Sequence, residues 1–229
     1  MKLTPSSLKS LTLAVLLCTA TAAAQADVIV FTNRAAFLAA LQLPGVDTFD
    51  DLTVSQTGTP LYRLAGPYSY RVSAGPVSDF YPAGSGSDTW LATTFAADVI
   101  TFSSFSSGLR AFGGNFFGSD INGAFLPGQS VVLTANDGST TRTVSLSDTT
   151  TTTFLGFIAD NALTSVTLRQ DGMPSTAYWV TANNVTLGMV TAVPEPETYA
   201  MLLAGLALVG YSARRRREGR LAQNLAELG

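Results

Sequence analysis

Histidine is absent from this 229-residue sequence, and no lysine follows Lys9. Without histidine, the chain cannot use Ser-His-Asp or Cys-His catalysis, and it cannot bind zinc through imidazole. The one cysteine, Cys18, lies in the first apolar run, so the rest of the chain has no cysteine for a disulfide or a metal site. These absences exclude the commonest hydrolase and zinc-protein chemistries.

Charged residues are also scarce, at 13% of the chain, against about 25% in an ordinary soluble domain. Between residues 27 and 193 there are twelve aspartates, no glutamate and six arginines, which gives a formal charge of −6. No basic cluster is present there to neutralise phosphates, so nucleic acid is not an expected partner. Aspartate favours turns where glutamate favours helix, so this bias indicates a β-rich, turn-rich domain.

The N-terminus has the pattern of a cleaved signal peptide. A basic start is followed by an apolar run at residues 11–17 and then by small residues. Ala24 and Ala26 occupy the positions of the A-x-A rule, which places the cleavage before Asp27. We therefore expect residues 1–26 to be removed on export.

The C-terminus combines a proline-containing segment, an apolar run and a basic cluster. Pro194 and Pro196 prevent regular structure, and the sixteen residues from 198 to 213 carry no charge. This run is slightly shorter than the ~20 residues that span a bilayer, but flanking arginines can snorkel to make up the difference. We expect a single transmembrane helix at about 198–213. By the positive-inside rule, the cytoplasmic side should hold Arg214, Arg215, Arg216 and Arg217.

The order of these C-terminal features resembles the PEP-CTERM sorting signal of Gram-negative bacteria. The resemblance covers residues 193–217 and starts with Val193, Pro194, Glu195 and Pro196. It implies recognition by an exosortase, a membrane transpeptidase-like enzyme, and an association with exopolysaccharide, biofilm or floc formation. Residues 218–229 would then form a cytoplasmic tail, longer than is usual after this signal. On physical grounds alone, an ordinary stop-transfer anchor stays open as an alternative.

Residues 27–192 show the period of β-strands separated by turn residues. Short runs of β-branched and aromatic residues alternate with clusters of Gly, Pro, Asn and Asp. The cluster at 136–139 joins two such runs and predicts a hairpin. One short N-terminal helix is expected over 34–41, before the first Pro-Gly pair. About eleven short strands indicate the all-β class, as a β-sandwich or jelly roll.

This domain also resembles the exported β-sandwich domains that precede PEP-CTERM tails, some of which look like carbohydrate-binding jelly rolls. The residues that carry this looser resemblance include 49–51 early in the domain and 183–185 in its closing strand. Such jelly rolls commonly hold a structural calcium between their first and last strands. The resemblance therefore implies a calcium site made by Asp50, Asp51, Asn183 and Asn184. The segment 120–123 has a calcium-loop-like spacing, but it lacks the later acidic positions, and an Asx turn is favoured there.

Aromatic side chains near loops are the candidates for sugar contact, because ring faces stack on sugars while polar rims bond to hydroxyls. Tyr68 and Tyr70 alternate along one strand and should share a face, and Tyr81 adjoins a proline turn. These three tyrosines are the predicted glycan contacts. Trp90 and Trp179 lie in strand contexts, where core positions are favoured.

These patterns favour a non-enzymatic, exported protein of the cell surface or extracellular matrix, with weak glycan binding. Its domain would lie on the periplasmic side of a transient inner-membrane anchor until an exosortase processes the chain. The alternative is a secreted carbohydrate-active enzyme, which would need two facing aspartates because the domain lacks glutamate and histidine. A third interpretation is a domain that only self-associates. The expected partners are an exosortase, the inner membrane and extracellular polysaccharide.

Overall fold

The computed structural model describes residues 27–172, 177–190, 205–207 and 209–211. The chain divides into two compact units, Met1–Val190 and Thr191–Gly229. The described part of the first unit contains thirteen strands and one α-helix. The predicted all-β class and β-sandwich architecture are therefore confirmed.

The first unit begins with strand β1 and the short helix α1, and all of its later elements are strands. In chain order the elements are β1 (Val28–Phe31), α1 (Arg34–Ala39), β2 (Gln42–Asp47), β3 (Leu61–Ala65), β4 (Tyr68–Ser73), β5 (Ala83–Ser85), β6 (Asp88–Trp90), β7 (Ile100–Ser103), β8 (Ala111–Ser119), β9 (Val131–Asn136), β10 (Thr141–Leu146), β11 (Phe154–Ala159), β12 (Ser165–Gln170) and β13 (Trp179–Met189).

Eleven of these strands form two antiparallel sheets that pack face to face. The five-stranded sheet has the order β1-β11-β8-β13-β2, and the six-stranded sheet has the order β10-β9-β12-β7-β4-β3. Strands β5 and β6 pair as a separate hairpin. Apolar side chains from both sheets form one core between them, in which the rings of Phe102 and Phe112 lie 4.9 Å apart. Because side chains alternate along a strand, each sheet also has an outer face.

The outer face of the five-stranded sheet is itself covered, so all nine residues of β8 are buried. Phe37 of α1 lies over Gly113 and Gly156, and a Cβ atom at Gly156 would come within 2.6 Å of the Phe37 ring. Further along β8, Trp90 of the β5–β6 hairpin packs edge-on against Phe117, with ring centroids 5.3 Å apart. The helix and the hairpin therefore shield this sheet, whereas the six-stranded sheet keeps its polar outer residues.

An ion-pair network joins one edge of each sheet. Asp47, the last residue of β2, is 4% exposed, and its carboxylate accepts hydrogen bonds from Arg63 Nε at 2.9 Å and Nη2 at 2.6 Å. The same guanidinium, on β3, donates to both oxygens of Asp51 at 2.7 and 2.6 Å. The Tyr70 hydroxyl of β4 donates to Asp47 at 2.7 Å. Because β2 and β3 are edge strands, this network closes one side of the sandwich.

The network also sets the ionisation of its members and shapes the turn after β2. The hydrogen-bonded Arg63 guanidinium lowers the pKa of Asp51. Burial raises the pKa of the Tyr70 hydroxyl well above its usual value, and the charge of Asp47 raises it further. Asp47 also accepts the backbone N–H of Phe49 at 3.1 Å, and Phe49 has a φ of +62°. A positive φ is costly for a bulky residue, so this turn depends on the carboxylate that holds it.

Most of the predicted targeting segments lie outside the described residues. These segments are the signal peptide at 1–26, the motif at 193–196, the arginines at 214–217 and the tail at 218–229. Of the expected membrane helix at 198–213, the structure describes residues 205–207 and 209–211, which are helical. No helix in the described parts of the chain is both long and apolar enough to cross a membrane.

Candidate functional site

An open cleft of about 210 Å³ lies where β8 ends and β13 begins, beside the β5–β6 hairpin. Aromatic, hydroxyl, carboxylate and aliphatic side chains contribute to its walls. Its lining includes Tyr81, Thr93, Thr94, Asp120, Ile121 and Trp179. We call it the Tyr81–Trp179 cleft.

Backbone pairing fixes the two aromatic walls of the cleft. Trp179 is the first residue of β13 and is in register with Ser119 of β8. Its indole N–H donates to the carbonyl of Thr94 at 3.4 Å, which fixes the orientation of the ring. The backbone N–H of Tyr81 donates to the carbonyl of Ala92 at 2.8 Å, while the Tyr81 side chain is 44% exposed. Two rings from separate segments therefore border one opening.

A tight turn after β8 supplies the acidic wall. Oδ1 of Asp120 accepts the backbone N–H groups of Asn122 and Ala124, each at 2.9 Å. The Asp120 carbonyl accepts the N–H of Gly123 at 3.0 Å. Gly123 has a φ of +79°, in the left-handed region that glycine adopts without strain. This is an Asx turn, as the sequence favours, and it leaves the Ile121 side chain exposed beside the carboxylate.

The cleft combines apolar ring surface with hydrogen-bonding groups. Tyr81 and Trp179 present apolar ring surface, and the Asp120 carboxylate and the Tyr81 hydroxyl are partners for sugar hydroxyls. Its volume is below the ~300–1,000 Å³ of typical small-molecule sites, so it has room only for a small ligand or for one end of a longer one. Asp120 is the only carboxylate among the described residues that line it. The cleft alone therefore does not provide the two facing carboxylates that glycoside hydrolysis uses.

The two aspartates of the predicted calcium site make different contacts. Both oxygens of Asp51 are bonded to Arg63, as described above. Oδ1 of Asp50 accepts the backbone N–H of Thr89, in β6, at 2.9 Å. Asp50 therefore contacts the hairpin, whereas Asp51 belongs to the ion-pair network at the edge of the sandwich.

The two predicted asparagine ligands lie on β13, next to β2 in the same sheet. The Asn183 side-chain amide donates to Asp88 at 2.8 Å, and its Oδ1 accepts the Asn184 N–H at 2.6 Å. Asp50 and Asn183 thus both bond to β6, at neighbouring residues. Within the described residues, no group of three or more acidic or cysteine side chains is placed to hold a metal ion. Calcium binding stays a prediction.

The three predicted glycan-contact tyrosines occupy different environments. Tyr68 and Tyr70 do share one face of β4, but this face points into the core, where they are 8% and 2% exposed. The Tyr70 hydroxyl is bonded to Asp47, so neither its ring nor its polar atom is presented to solvent. Of the three, only Tyr81 is exposed, and it lines the cleft.

The sequence did not predict that Trp179 and Asp120 line the cleft. Trp90 is buried against Phe117, as a core interpretation requires, but Trp179 is half-buried and borders the opening. Period-two alternation in β13 puts Trp179 on the face opposite Val180, a core residue. That alternation is the sequence signal that distinguishes Trp179 from a core tryptophan.

The fold and the cleft define a two-sheet β-sandwich module with an aromatic opening on one side. Comparison with protein families characterises the C-terminal segment that follows this module. Residues 192–217 match the PEP-CTERM protein-sorting motif. The chain therefore carries this C-terminal sorting signal, which confirms the resemblance found over residues 193–217 in the sequence.

Comparison with other proteins adds a structural likeness. The chain is similar to a solved structure of the carbohydrate-binding module TmCBM61 in complex with β-1,4-galactotriose. The likeness has a TM-score of 0.27 and 13% sequence identity, and it covers 52% of this chain and 88% of the other. A comparison with curated proteins found no match. A likeness at this level carries no information about the ligand.

Proposed function

We propose that this chain is an exported, non-enzymatic protein of the cell surface or extracellular matrix, processed by an exosortase and associated with exopolysaccharide. The observation that carries this proposal is the match of residues 192–217 to the PEP-CTERM sorting motif. The signal-peptide pattern at residues 1–26 supplies the route of export.

The order of the terminal segments gives the proposed route. Cleavage before Asp27 releases the N-terminus, and the apolar run at 198–213 holds the chain in the inner membrane of a Gram-negative bacterium. The arginines at 214–217 and the tail at 218–229 stay cytoplasmic. Exosortase action near residues 194–196 then transfers the β-sandwich to the cell surface or matrix.

The sorting proposal is tested by the fate of the tail. The full chain is produced in a host that has an exosortase, and the processed protein is identified by intact mass. We expect the wild type to lose all residues after the processing point near 194–196, including the tail at 218–229, and to reach the extracellular fraction. The variant Pro194→Ala/Pro196→Ala should keep its tail and stay in the membrane fraction.

A matched control is Pro127→Ala, which changes an exposed proline of the β-sandwich and should be processed like the wild type. Deletion of the host exosortase should reproduce the behaviour of the motif variant. Retention of residues 218–229 by the wild type, with or without an exosortase, would instead identify an ordinary stop-transfer anchor.

The proposed activity of the β-sandwich is weak binding of a sugar unit in the Tyr81–Trp179 cleft. Support comes from two aromatic rings and a carboxylate around one small opening. Because Trp90 is buried and Trp179 lines the cleft, ligand binding should change mainly the fluorescence of Trp179. The secreted protein is titrated with short oligosaccharides obtained from the host's exopolysaccharide.

We expect Tyr81→Ala and Trp179→Ala each to weaken this binding about tenfold, because each removes a stacking surface; the binding of these two variants is read by calorimetry. Val77→Ala truncates an exposed apolar side chain that lies outside the cleft and outside every strand, and it should leave the affinity for short oligosaccharides unchanged. Equal binding by all three variants would remove the cleft from the proposal. Release of new reducing ends from the polysaccharide would favour the alternative, an enzyme that uses an aspartate pair.

A further inference from the structure

The outer face of the six-stranded sheet carries hydroxyl side chains in strand register. One row of side chains crosses five neighbouring strands, from β10 to β4, and each residue in it is in register with the next. This row consists of Thr143, Thr134, Thr167, Thr101 and Ser73. Neighbouring strands lie about 4.8 Å apart, so the row presents a hydroxyl at each such interval.

A second row runs parallel to the first and crosses all six strands. It consists of Thr141, Asn136, Ser165, Ser103, Arg71 and Tyr62. Tyr62, on the edge strand β3, is 80% exposed, so the row ends in an open aromatic ring. The residues that alternate with these rows, such as Phe102 and Val166, are buried in the core, which shows that both rows face outward. We call the two rows the hydroxyl face.

The hydroxyls at the centre of this face have no partner in the described part of the chain. The side chains of Thr101, Ser103, Ser165 and Thr167 form no hydrogen bond to another described residue. At the β10 end, by contrast, Thr134 and Thr143 are 3.0 Å apart, and Asn136 donates to Thr141 at 2.9 Å. The central side chains are therefore free to bond to a ligand laid across the strands.

The charge of the hydroxyl face is opposite to that of the domain as a whole. The stretch from 27 to 193 has twelve aspartates and a formal charge of −6, yet none of the six strands of this sheet contains an aspartate. Arg71 lies in the second row, and Arg169 is the outward residue of β12 beyond the first row. Neither guanidinium forms a salt bridge within the described residues. A polyanion can therefore approach this face without meeting carboxylates on its strands.

We propose that the hydroxyl face binds an extended acidic polysaccharide that lies across the strands. The free hydroxyls bond to sugar hydroxyls, Arg71 and Arg169 pair with carboxylates of the polymer, and Tyr62 stacks on a sugar ring at the β3 end. This proposal deepens the matrix role proposed above by naming the class of polymer. It uses a surface separate from the Tyr81–Trp179 cleft, so each of the two binding proposals can be refuted without the other.

The test measures binding of the secreted protein to a polyuronate, with a neutral dextran of similar length for comparison. We expect the polyuronate to bind and the dextran to bind at least fivefold more weakly. The double variant Arg71→Gln/Arg169→Gln should lose about tenfold in polyuronate affinity at low salt, since each exposed pair contributes modestly. The loss should shrink as ionic strength rises, because screening weakens the same contacts in the wild type.

Two further variants separate charge from hydroxyl contacts. Thr101→Val/Thr167→Val keeps side-chain shape while it removes two free hydroxyls, and it should weaken polyuronate binding about threefold to tenfold. The matched control is Arg142→Gln. Arg142 is on β10 of the same sheet, but it is in register with the core residue Ala135. Its side chain therefore projects from the face of the sheet opposite to the hydroxyl face. It should bind like the wild type.

The outcomes distinguish this inference from the proposed cleft. Full polyuronate affinity in Arg71→Gln/Arg169→Gln, or an equal loss in Arg142→Gln, overturns the hydroxyl face as the binding surface. If Tyr81→Ala or Trp179→Ala abolishes polyuronate binding while the arginine variant does not, the polymer binds in the cleft and the inference about the hydroxyl face is wrong. If only the arginine and threonine variants lose binding, the polyuronate binds on the hydroxyl face and the cleft does not contribute.

Discussion

Arg63 supplies the cation of the ion-pair network. Its backbone belongs to β3, and its guanidinium binds carboxylates from the end of β2 and from the following turn. It also lies over the Phe49 ring, 5.3 Å from the centroid. Its removal would leave the Asp47 carboxylate buried with no cation, which costs far more than the loss of an exposed pair.

Arg63→Met should therefore lower the free energy of unfolding by about 3–5 kcal/mol. Urea denaturation of the mature protein at neutral pH measures this loss. Arg142→Met, at an exposed position on β10, is the matched control and should change stability by less than about 0.5 kcal/mol. Asp47→Asn combined with Arg63→Met should recover part of the loss, because no buried charge is then left unpaired. Equal stability of Arg63→Met and the wild type would mean that the network does not hold the edge.

Tyr70 gives the fold a dependence on alkaline pH. Because burial and Asp47 raise the pKa of the folded-state hydroxyl, the unfolded chain releases its proton first, near pH ~10. The stability that Tyr70 contributes is therefore complete below about pH 10 and is lost as the pH rises through the raised pKa.

Tyr70→Phe should lower stability at pH 7 by about 1 kcal/mol, through the lost bond to Asp47. It should also make the decline of stability above about pH 10 shallower. Urea midpoints measured over this range test both expectations. Tyr62→Phe, at an exposed ring, should decline as steeply as the wild type. An equally steep decline in Tyr70→Phe would assign the alkaline sensitivity to other groups.

At the scale of elements, α1 is held on the five-stranded sheet by the fit between Phe37 and two glycines. A methyl group at Gly156 would lie 2.6 Å from the Phe37 ring, so the helix would have to shift. Gly156→Ala should therefore cost about 1–3 kcal/mol by overpacking. Gly58→Ala is the matched control, because a Cβ there meets nothing within 4 Å. Thermal unfolding compares the two variants.

A compensating change makes the test specific to the helix contact. Phe37→Leu combined with Gly156→Ala should be more stable than the sum of the single changes predicts, since the smaller side chain makes room for the methyl group. Strict additivity would show that Gly156 is required for a reason other than Phe37.

Most strands are predictable from the sequence because alternation and turn residues coincide. The Asn-Asp-Gly-Ser cluster at 136–139 does join β9 to β10, and Gly138 has a φ of +88°. The predicted helix over 34–41 is α1, which ends at Ala39. Strand β3, by contrast, has a sequence of leucine, tyrosine, arginine and alanine without β-branched residues, and its pairing with β4 fixes it as a strand.

The runs of residues at 177–181 and 185–189 predict two separate closing strands, but in the structure both runs contribute to one strand, β13. The pair Asn183-Asn184 looks like a turn, but it forms a bulge inside β13, where the register shifts and Asn184 has a φ of +51°. Asparagine tolerates this conformation, and a bulge lets a strand continue past an extra residue. Turn-forming residues alone cannot distinguish these two cases.

The candidate site was harder to predict for a related reason. Alternation correctly places Tyr68 and Tyr70 on one face, but it does not say which face is the core. The opposite face of β4 belongs to the hydroxyl face. Tyr81 was predicted, whereas Trp179 and Asp120 come together only because β8 and β13 pair in the fold. Long-range pairing of this kind is not encoded in local pattern.

At the scale of the whole molecule, export changes the chemistry of the N-terminus. The backbone nitrogen of Asp27 lies 2.9 Å from a carboxylate oxygen of Asp160, which also forms a pair with Arg110 at 3.7 Å. Cleavage before Asp27 would convert this nitrogen from an amide to an ammonium group. The exposed hydrogen bond would then become an ion pair that holds β1 at the edge of its sheet.

Mass spectrometry of the secreted protein should find Asp27 as its first residue. In this form Asp160→Asn should lower the free energy of unfolding by up to about 1 kcal/mol at pH 6, as for an exposed pair. The difference should fade above about pH 9, where the ammonium loses its proton. Protein with an acetylated N-terminus is the control and should show a smaller effect of the substitution. An undiminished effect in that form would show that Asp160 acts through Arg110 instead.

Strand β13 ends at Met189, three residues before the segment that matches the sorting motif begins. Any tether made through that segment therefore pulls directly on β13, which is hydrogen-bonded to β8 on one side and β2 on the other. Antiparallel bonds lie perpendicular to their strands, so a pull along β13 loads many bonds in shear at once. The eleven-residue strand nearest the attachment point is thus the one best placed to resist mechanical force.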